Sequence, residues 1–252
     1  MSSLERNAAR IGALADPMRR ELYRFVAAQP VPVSRDQAAD AVGIARHQAK
    51  FHLDRLEAEG LLESDYARLT GRSGPGAGRT SKRYRRAPCD IAVSLPPREY
   101  ELAGRLMADA IIEAADTGRP AMEALSELAH DYGREVGEAA AEHGRPDDAQ
   151  AALALAADVL GEHGYQPRCC DNEVYLTNCP FHALAQAQTQ LACTMNYALI
   201  TGVAEALAPY CPHARLCPDP RRCCVVLSLN GEPEPASPSP PTAVRRPRTT
   251  AR

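Results

Sequence analysis

Residues 42–62 read VGIARHQAKFHLDRLEAEGLL. Gly43 supplies the permissive backbone that a tight turn between helices needs. After it, Leu53 and Leu56 recur at helical spacing and point a second helix inward, while Arg46, His47, Gln48 and Lys50 crowd its start. Upstream, SRDQAADAV (34–42) reads as a short helix, because the Ser34 hydroxyl can accept a hydrogen bond from an unpaired N–H of the first turn. Two helices about a tight turn form a helix-turn-helix.

Working outward, Ile11, Leu14, Met18, Leu22, Phe25 and Val26 predict one amphipathic helix from Ala8 to Ala28. Downstream, LLESDYARLT (61–70) and KRYRRA (82–87) have strand character, and the GRSGPGAGRTS stretch between them is too Gly-rich for regular structure. Three helices and a long-looped hairpin predict a winged helix-turn-helix over 1–90. Its second helix would enter the major groove with its N-terminal residues at the base edges. Arg46 and Lys50 suit guanine O6/N7, Gln48 suits adenine N6/N7, and His47 is a further donor. On the wing, Arg68, Arg72, Arg79, Lys82, Arg83, Arg85 and Arg86 are candidate phosphate contacts. His52 reads as a packed residue, and Phe51 is left open.

Charge divides the chain in the same place. Residues 1–90 carry 16 Lys and Arg against 11 Asp and Glu, whereas 91–230 carry 9 against 19. The first part suits a polyanion such as double-stranded DNA, and the second does not.

Past SLPPREY (94–100), helices are predicted near 98–116, 120–142 and 148–163. A hairpin (YQPRCC, EVYLTNC), a helix over 181–208 and a second hairpin (ARLCP, RCCVVLSL) follow. The fold class expected is mainly α with an α+β sensor domain. Its parts are the winged domain (1–90), a helical linker and dimerisation region (91–145), a cysteine-rich α+β domain (146–230) and a disordered Pro/Ser-rich tail (231–252). Leu102, Leu106, Ala110 and Ile111 are the candidate homodimer seam. The N-terminus MSSLERNAAR has no apolar signal core and no apolar run reaches about 18 residues, so a cytoplasmic, non-membrane protein is expected.

Eight of the nine cysteines lie between positions 169 and 224. In a reducing compartment such a set reads as metal ligands or redox thiols rather than disulfides. Zinc knuckles place cysteines two to four residues apart, but Cys179, Cys193, Cys211 and Cys224 are each more than ten residues from the next. Every ligand would then come from a different element, as an iron–sulfur cluster between a helix and hairpins requires. Pro180 suits a first helical turn, which places Cys179 at the start of the 181–208 helix. A straight helix would hold Cys179 and Cys193 on one side but about 21 Å apart at 1.5 Å per residue. Either Cys179 folds back on a loop, or the two do not share a metal.

The 42–62 segment, followed by GRSGPGAGRTSKRYRR (71–86), resembles the ArsR/DeoR-like winged-helix repressors, in particular the branch containing the repressor of the SUF iron–sulfur assembly operon. The NCPF step at 178–181, the later cysteines and the CCVVL strand resemble that branch more loosely. The resemblance implies a dimeric repressor whose cluster is held by the NCP cysteine, a mid-helix cysteine and one before the terminal strand, here Cys179, Cys193 and Cys224. For the fourth ligand Cys211 comes first, then His182, Cys170 and Cys217. Cys223 competes with Cys224, since neighbouring strand residues face opposite ways. Two other readings are a winged-helix regulator with structural zinc and an enzyme with Cys179 as nucleophile and His182 as base. No orienting Asp or Asn and no oxyanion-hole motif accompanies that pair, so a non-enzyme is expected.

Overall fold

Asp16 and Pro17 determine how the chain begins. Pro17 occupies the first turn of a helix, where its missing N–H would be unpaired anyway, and Asp16 caps that turn by accepting from the Arg19 N–H at 2.9 Å. The single helix expected over 8–28 is therefore two, α1 (Ser3–Ala13) and α2 (Pro17–Ala27). The apolar period runs through the break unchanged, which is why it reads as one.

A computed structural model of the chain describes residues 3–67, 80–219 and 221–229. The central wing, with Arg68, Arg72 and Arg79, and the tail 231–252 lie outside the described residues. The chain divides into two compact units, Met1–Val93 and Ser94–Arg252.

In the first unit, β1 (Val33–Ser34) leads into α3 (Arg35–Val42). Ser34 Oγ accepts from the Gln37 N–H, and Gln37 Oε1 accepts from the Ser34 N–H at 2.8 Å. Gly43 ends α3 at φ +72°, a left-handed conformation that a side chain would strain. Next come α4 (Arg46–Ala58), β2 (Leu62–Ala67) and β3 (Ser81–Arg86). The three strands form an antiparallel sheet in the order β1-β3-β2, with Leu62 opposite Arg86 and Val33 opposite Tyr84. Leu22, Leu53, Leu56, Leu62 and Tyr84 fill the core beneath it. This is the helix-turn-helix and hairpin that the 42–62 stretch predicts.

The second unit contains α5 (Tyr100–Thr117), α6 (Ala121–Glu142), α7 (Ala149–Glu162), β4 (Pro167–Cys170), β5 (Glu173–Leu176), α8 (His182–Ala187), α9 (Thr189–Glu205), β6 (His213–Leu216) and β7 (Val225–Ser228). Its antiparallel sheet runs β4-β5-β7-β6, and β7 is buried along its whole length. One apolar core joins Leu106 and Leu125 to Leu160, Phe181, Ile200 and Leu227. The helices expected as a separate linker over 91–145 therefore belong to the body that carries the cysteines. Three of the four expected seam residues, Leu102, Leu106 and Ala110, are buried in that core. Ile111 is exposed beside Ile112.

Two features of this unit position the cysteines. The helix expected over 181–208 breaks at Gln188, whose φ of −140° and ψ of 71° are not helical, so α8 and α9 are separate. The second is the crossing of α6 and α9, where glycine lets backbone meet backbone. A Cβ on Gly133 would lie 1.9 Å from the Leu199 carbonyl oxygen, and one on Gly202 would lie 2.0 Å from that of His130.

Candidate nucleic-acid interface and cysteine centre

Helix α4 turns one face to the core and the other to solvent. Ala49, Leu53 and Leu56 are buried, while Arg46, His47, Gln48, Lys50 and Phe51 are exposed. Arg46 reaches Asp36 at 3.7 Å and Lys50 pairs with Asp54 at 2.6 Å. Both cations are well exposed, so these pairs are weak and can be exchanged for DNA. Gln48 is more committed. Its Oε1 accepts from the Ala45 N–H at 3.3 Å, so bidentate pairing with adenine would require that cap to open.

Strand β3 treats its basic residues differently from the expected phosphate contacts. Arg83 makes a two-point ion pair with Asp65 at 2.8 and 2.9 Å, and Arg85 pairs with Glu63 at 2.6 Å. Lys82 turns toward α4, where its Nζ donates to Asp54 Oδ1 at 3.0 Å and to Glu57. The cause is strand alternation, which puts Lys82 on the face of buried Tyr84 rather than outward. Tyr84 completes the group by donating its hydroxyl to Asp54 Oδ1 at 2.8 Å. Lys82 thus joins the wing strand to the back of the recognition helix.

That knot has a pH signature. Burial opposes the charge on Asp54, but hydrogen bonds from Lys50, Tyr84 and Lys82 outweigh it and bring its pKa down to about 2. A depressed carboxylate contributes stability that is full above its unfolded value, 3.8, and is lost as pH falls through about 2. The urea midpoint should therefore fall more steeply from pH 4 to pH 2 in the parent than in Asp54→Asn. Equal slopes would remove Asp54 from the acid response.

The cysteines sort themselves by contact. The Cys179 thiol meets Cys223, Cys223 also meets Cys224, and Cys224 meets Cys193. Local structure explains how. Cys179 lies on the loop after β5, held by Arg98 Nη1 donating to its carbonyl at 3.0 Å. Its neighbour Asn178 is buried and donates to the carbonyls of Gly164 at 2.6 Å and Pro97 at 3.1 Å. Cys193 projects from α9, beyond the break at Gln188. The loop between β5 and α9 folds back, and the 21 Å of a continuous helix does not arise.

Cys223 and Cys224 both take part because they precede β7 rather than belong to it, so strand alternation does not separate them. The Cys223 N–H donates to the Leu176 carbonyl at 2.8 Å, and the Cys224 carbonyl accepts from the Cys217 N–H at 2.7 Å. Hydrogen bonds from Cys179, Cys224, the Val225 N–H and Asn196 hold Cys223 well below the ordinary thiol range, although burial opposes this. Cys179 is pushed up by its bond to Cys223 and by burial, and Cys224 by its bonds to Cys193 and Cys223. The bond from Cys224 lowers Cys193. Asn196, one turn along α9 from Cys193, donates to Cys223 Sγ at 3.1 Å and accepts from the buried Tyr165 hydroxyl.

The side chains of the remaining candidates make other contacts. Cys211 donates to the Glu205 carbonyl at 3.5 Å, and Cys217 accepts from Arg222 at 3.2 Å. Cys169 and Cys170 are exposed on edge strand β4, and Cys89 belongs to the first unit. His182 and Cys179 share a cleft of about 220 Å³ with Arg98, Thr177, Asn178, Arg221 and Arg222. Among the described residues, no three or more His, Cys, Asp or Glu side chains gather tightly enough to hold a single metal ion. The thiols form a run of neighbours, Cys179–Cys223–Cys224–Cys193, rather than a tetrahedron about one point. Sequence reasoning missed the weight of Cys223 and the part of Asn196. Only the Cys-Cys doublet was there to signal the first, and an Asn three residues after Cys193 the second.

No helix among the described residues is long and apolar enough to cross a membrane. No match was found among curated proteins or among solved structures. A family model described as a helix-turn-helix domain matches residues 14–65, the span from the end of α1 to the middle of β2. That match, with the exposed polar start of α4 and the β2–β3 hairpin, supports a winged helix-turn-helix regulator that binds DNA.

Proposed function

We propose that the chain is a homodimeric transcriptional repressor, and not an enzyme, whose second unit holds an iron–sulfur cluster on Cys179, Cys193, Cys223 and Cys224 and reports iron or redox state to the DNA-binding unit. One observation carries the reading. Four thiols from three separate segments are neighbours in pairs, and two of them are biased toward the thiolate that metal ligation requires. The donor set suits the group, since iron–sulfur clusters take four cysteines. When bound, the cluster would supply one-electron chemistry and a lability to oxidant. The protein's own contribution is to place the thiols and to keep Cys223 buried. Four thiolates on one zinc would sit about 3.8 Å apart at corners 2.3 Å from the metal. Among the described residues no such set gathers about one point, and a polynuclear group, whose cysteines attach to separate irons, does not require one. The contact with Cys223 and burial push the Cys179 thiol up, which supports a role other than nucleophile.

The test is anaerobic purification with a visible spectrum and iron and sulfide analysis, followed by DNA-binding titrations with and without the bound metal. A brown protein with matched iron and sulfide, whose DNA affinity changes when these are removed, is expected. Colourless protein with stoichiometric zinc would overturn the cluster. On the DNA side, Arg46→Ala and Lys50→Ala should each lose about 1–3 kcal/mol of discrimination between operator and unrelated duplex while keeping the fold. Unchanged selectivity in both would place the reading surface off the start of α4.

A further inference from the structure

Phe51 is 66% exposed, although a phenylalanine normally belongs inside. It is not a core residue that fell short of burial. At about 100° per residue it stands about 165° round α4 from the mean direction of Ala49, Leu53 and Leu56, almost directly opposite the core. It lies one turn beyond His47, and its ring meets that of His52 edge to face at 5.3 Å. His47, Lys50, Phe51, Asp54, Arg55 and Ala58 line a shallow groove of about 410 Å³ on this outer face. The groove offers three donors, His47, Lys50 and Arg55, and an acid, Asp54, around one apolar surface. A base edge in the major groove that asks for apolar contact is that of thymine, through its C5-methyl, and phenylalanine is among the side chains that meet it. Phe51 is the sixth residue of α4, about 7.5 Å along the axis from Arg46 at 1.5 Å per residue, and within reach of the next base pairs.

We propose that Phe51 reads the C5-methyl group of a thymine, next to the bases addressed by His47 and Arg46. This rests on the DNA-binding reading above. It makes Phe51 a specificity-determining residue rather than a general affinity contact.

The experiment uses the full chain and a duplex selected from random sequence, with each thymine replaced singly by deoxyuridine, which lacks only the methyl. In fluorescence-anisotropy titrations one thymine per half-site should be methyl-sensitive in the parent. Its loss should weaken binding about four-fold, the factor equivalent to the ~0.8 kcal/mol of one buried carbon group. Phe51→Ala should bind the thymine and deoxyuridine duplexes equally, both more weakly than the parent binds thymine. Its exposed side chain can be removed without opening the core, and circular dichroism checks the fold. A parent that ignores every methyl, or a Phe51→Ala variant that keeps the parent's methyl sensitivity, would overturn the proposal while leaving DNA binding intact. A parent that cannot separate the selected duplex from a scrambled one would overturn the DNA-binding reading and this proposal together.

Discussion

Replacing Cys223 by Ser is expected to bleach anaerobically prepared protein, with iron and sulfide falling from stoichiometric to near zero. Cys223 is the one buried cysteine of the nine, the Asn196 amide donates to its sulfur at 3.1 Å, and its thiol lies well below the ordinary range. It is thus the thiol most strongly set up as a thiolate ligand. Serine keeps the volume but offers a hard, weakly acidic oxygen where iron–sulfur chemistry needs soft sulfur. Cys179→Ser, Cys193→Ser and Cys224→Ser should bleach as well, and each should remove the effect of the metal on DNA affinity. Cys211→Ser and Cys217→Ser should stay brown, since their thiols meet a carbonyl and an arginine instead of the quartet. Bleaching by Cys211→Ser with full colour in Cys223→Ser would restore the ligand set read first from the sequence. Full iron and sulfide in all four quartet variants would remove these cysteines as the cluster's ligands.

The helix-turn-helix was legible because its information is local. Ser34 caps within three residues, Gly43 turns on its own backbone, and Leu53 and Leu56 repeat within one helix. The break before α2 was equally local and was still missed, because the apolar period was given more weight than the Asp16–Pro17 step inside it. Gln188 is different in kind. No Gly or Pro marks it, and a six-residue helix before a non-helical residue persists only where packing holds it. The sequence could group the thiols by composition but not by distance, since contact between Cys179 and Cys223 depends on β5, β7 and a loop fold-back meeting. The pairing of Lys82 with Asp54 and Glu57 was hidden for a simpler reason. A run of basic residues on a strand looks uniform until alternation sends every second one to the other face, and here that face holds Asp54 and Glu57.

The same unit makes a second large effect measurable. Gly202→Ala should destabilise it by about 3 kcal/mol or more, at the upper end for overpacked cores, because the new Cβ meets backbone that cannot rotate away. That carbon would sit 2.0 Å from the His130 carbonyl oxygen and 2.8 Å from the Arg134 nitrogen, so α6 and α9 must separate. Gly133→Ala drives against the Leu199 carbonyl oxygen from the other helix and should behave alike. At 2–4 °C per kcal/mol for a chain of this size, the loss corresponds to a melting shift of roughly 10 °C. Gly104→Ala in α5 is the control, since nothing lies within 4 Å of its added carbon, and an alanine there should be neutral or mildly stabilising. The consequence reaches the cysteines through α9, which carries Cys193 and Asn196 to Cys224 and Cys223. Separating the helices draws those groups off the other two thiols, so Gly202→Ala should also take up iron and sulfide poorly at temperatures where its circular dichroism is still native. Melting of Gly202→Ala at the temperature of Gly104→Ala would show that the two backbones are not in close contact. A strongly destabilised variant that still fills with iron and sulfide would show that α9 is not what brings Cys193 to the site.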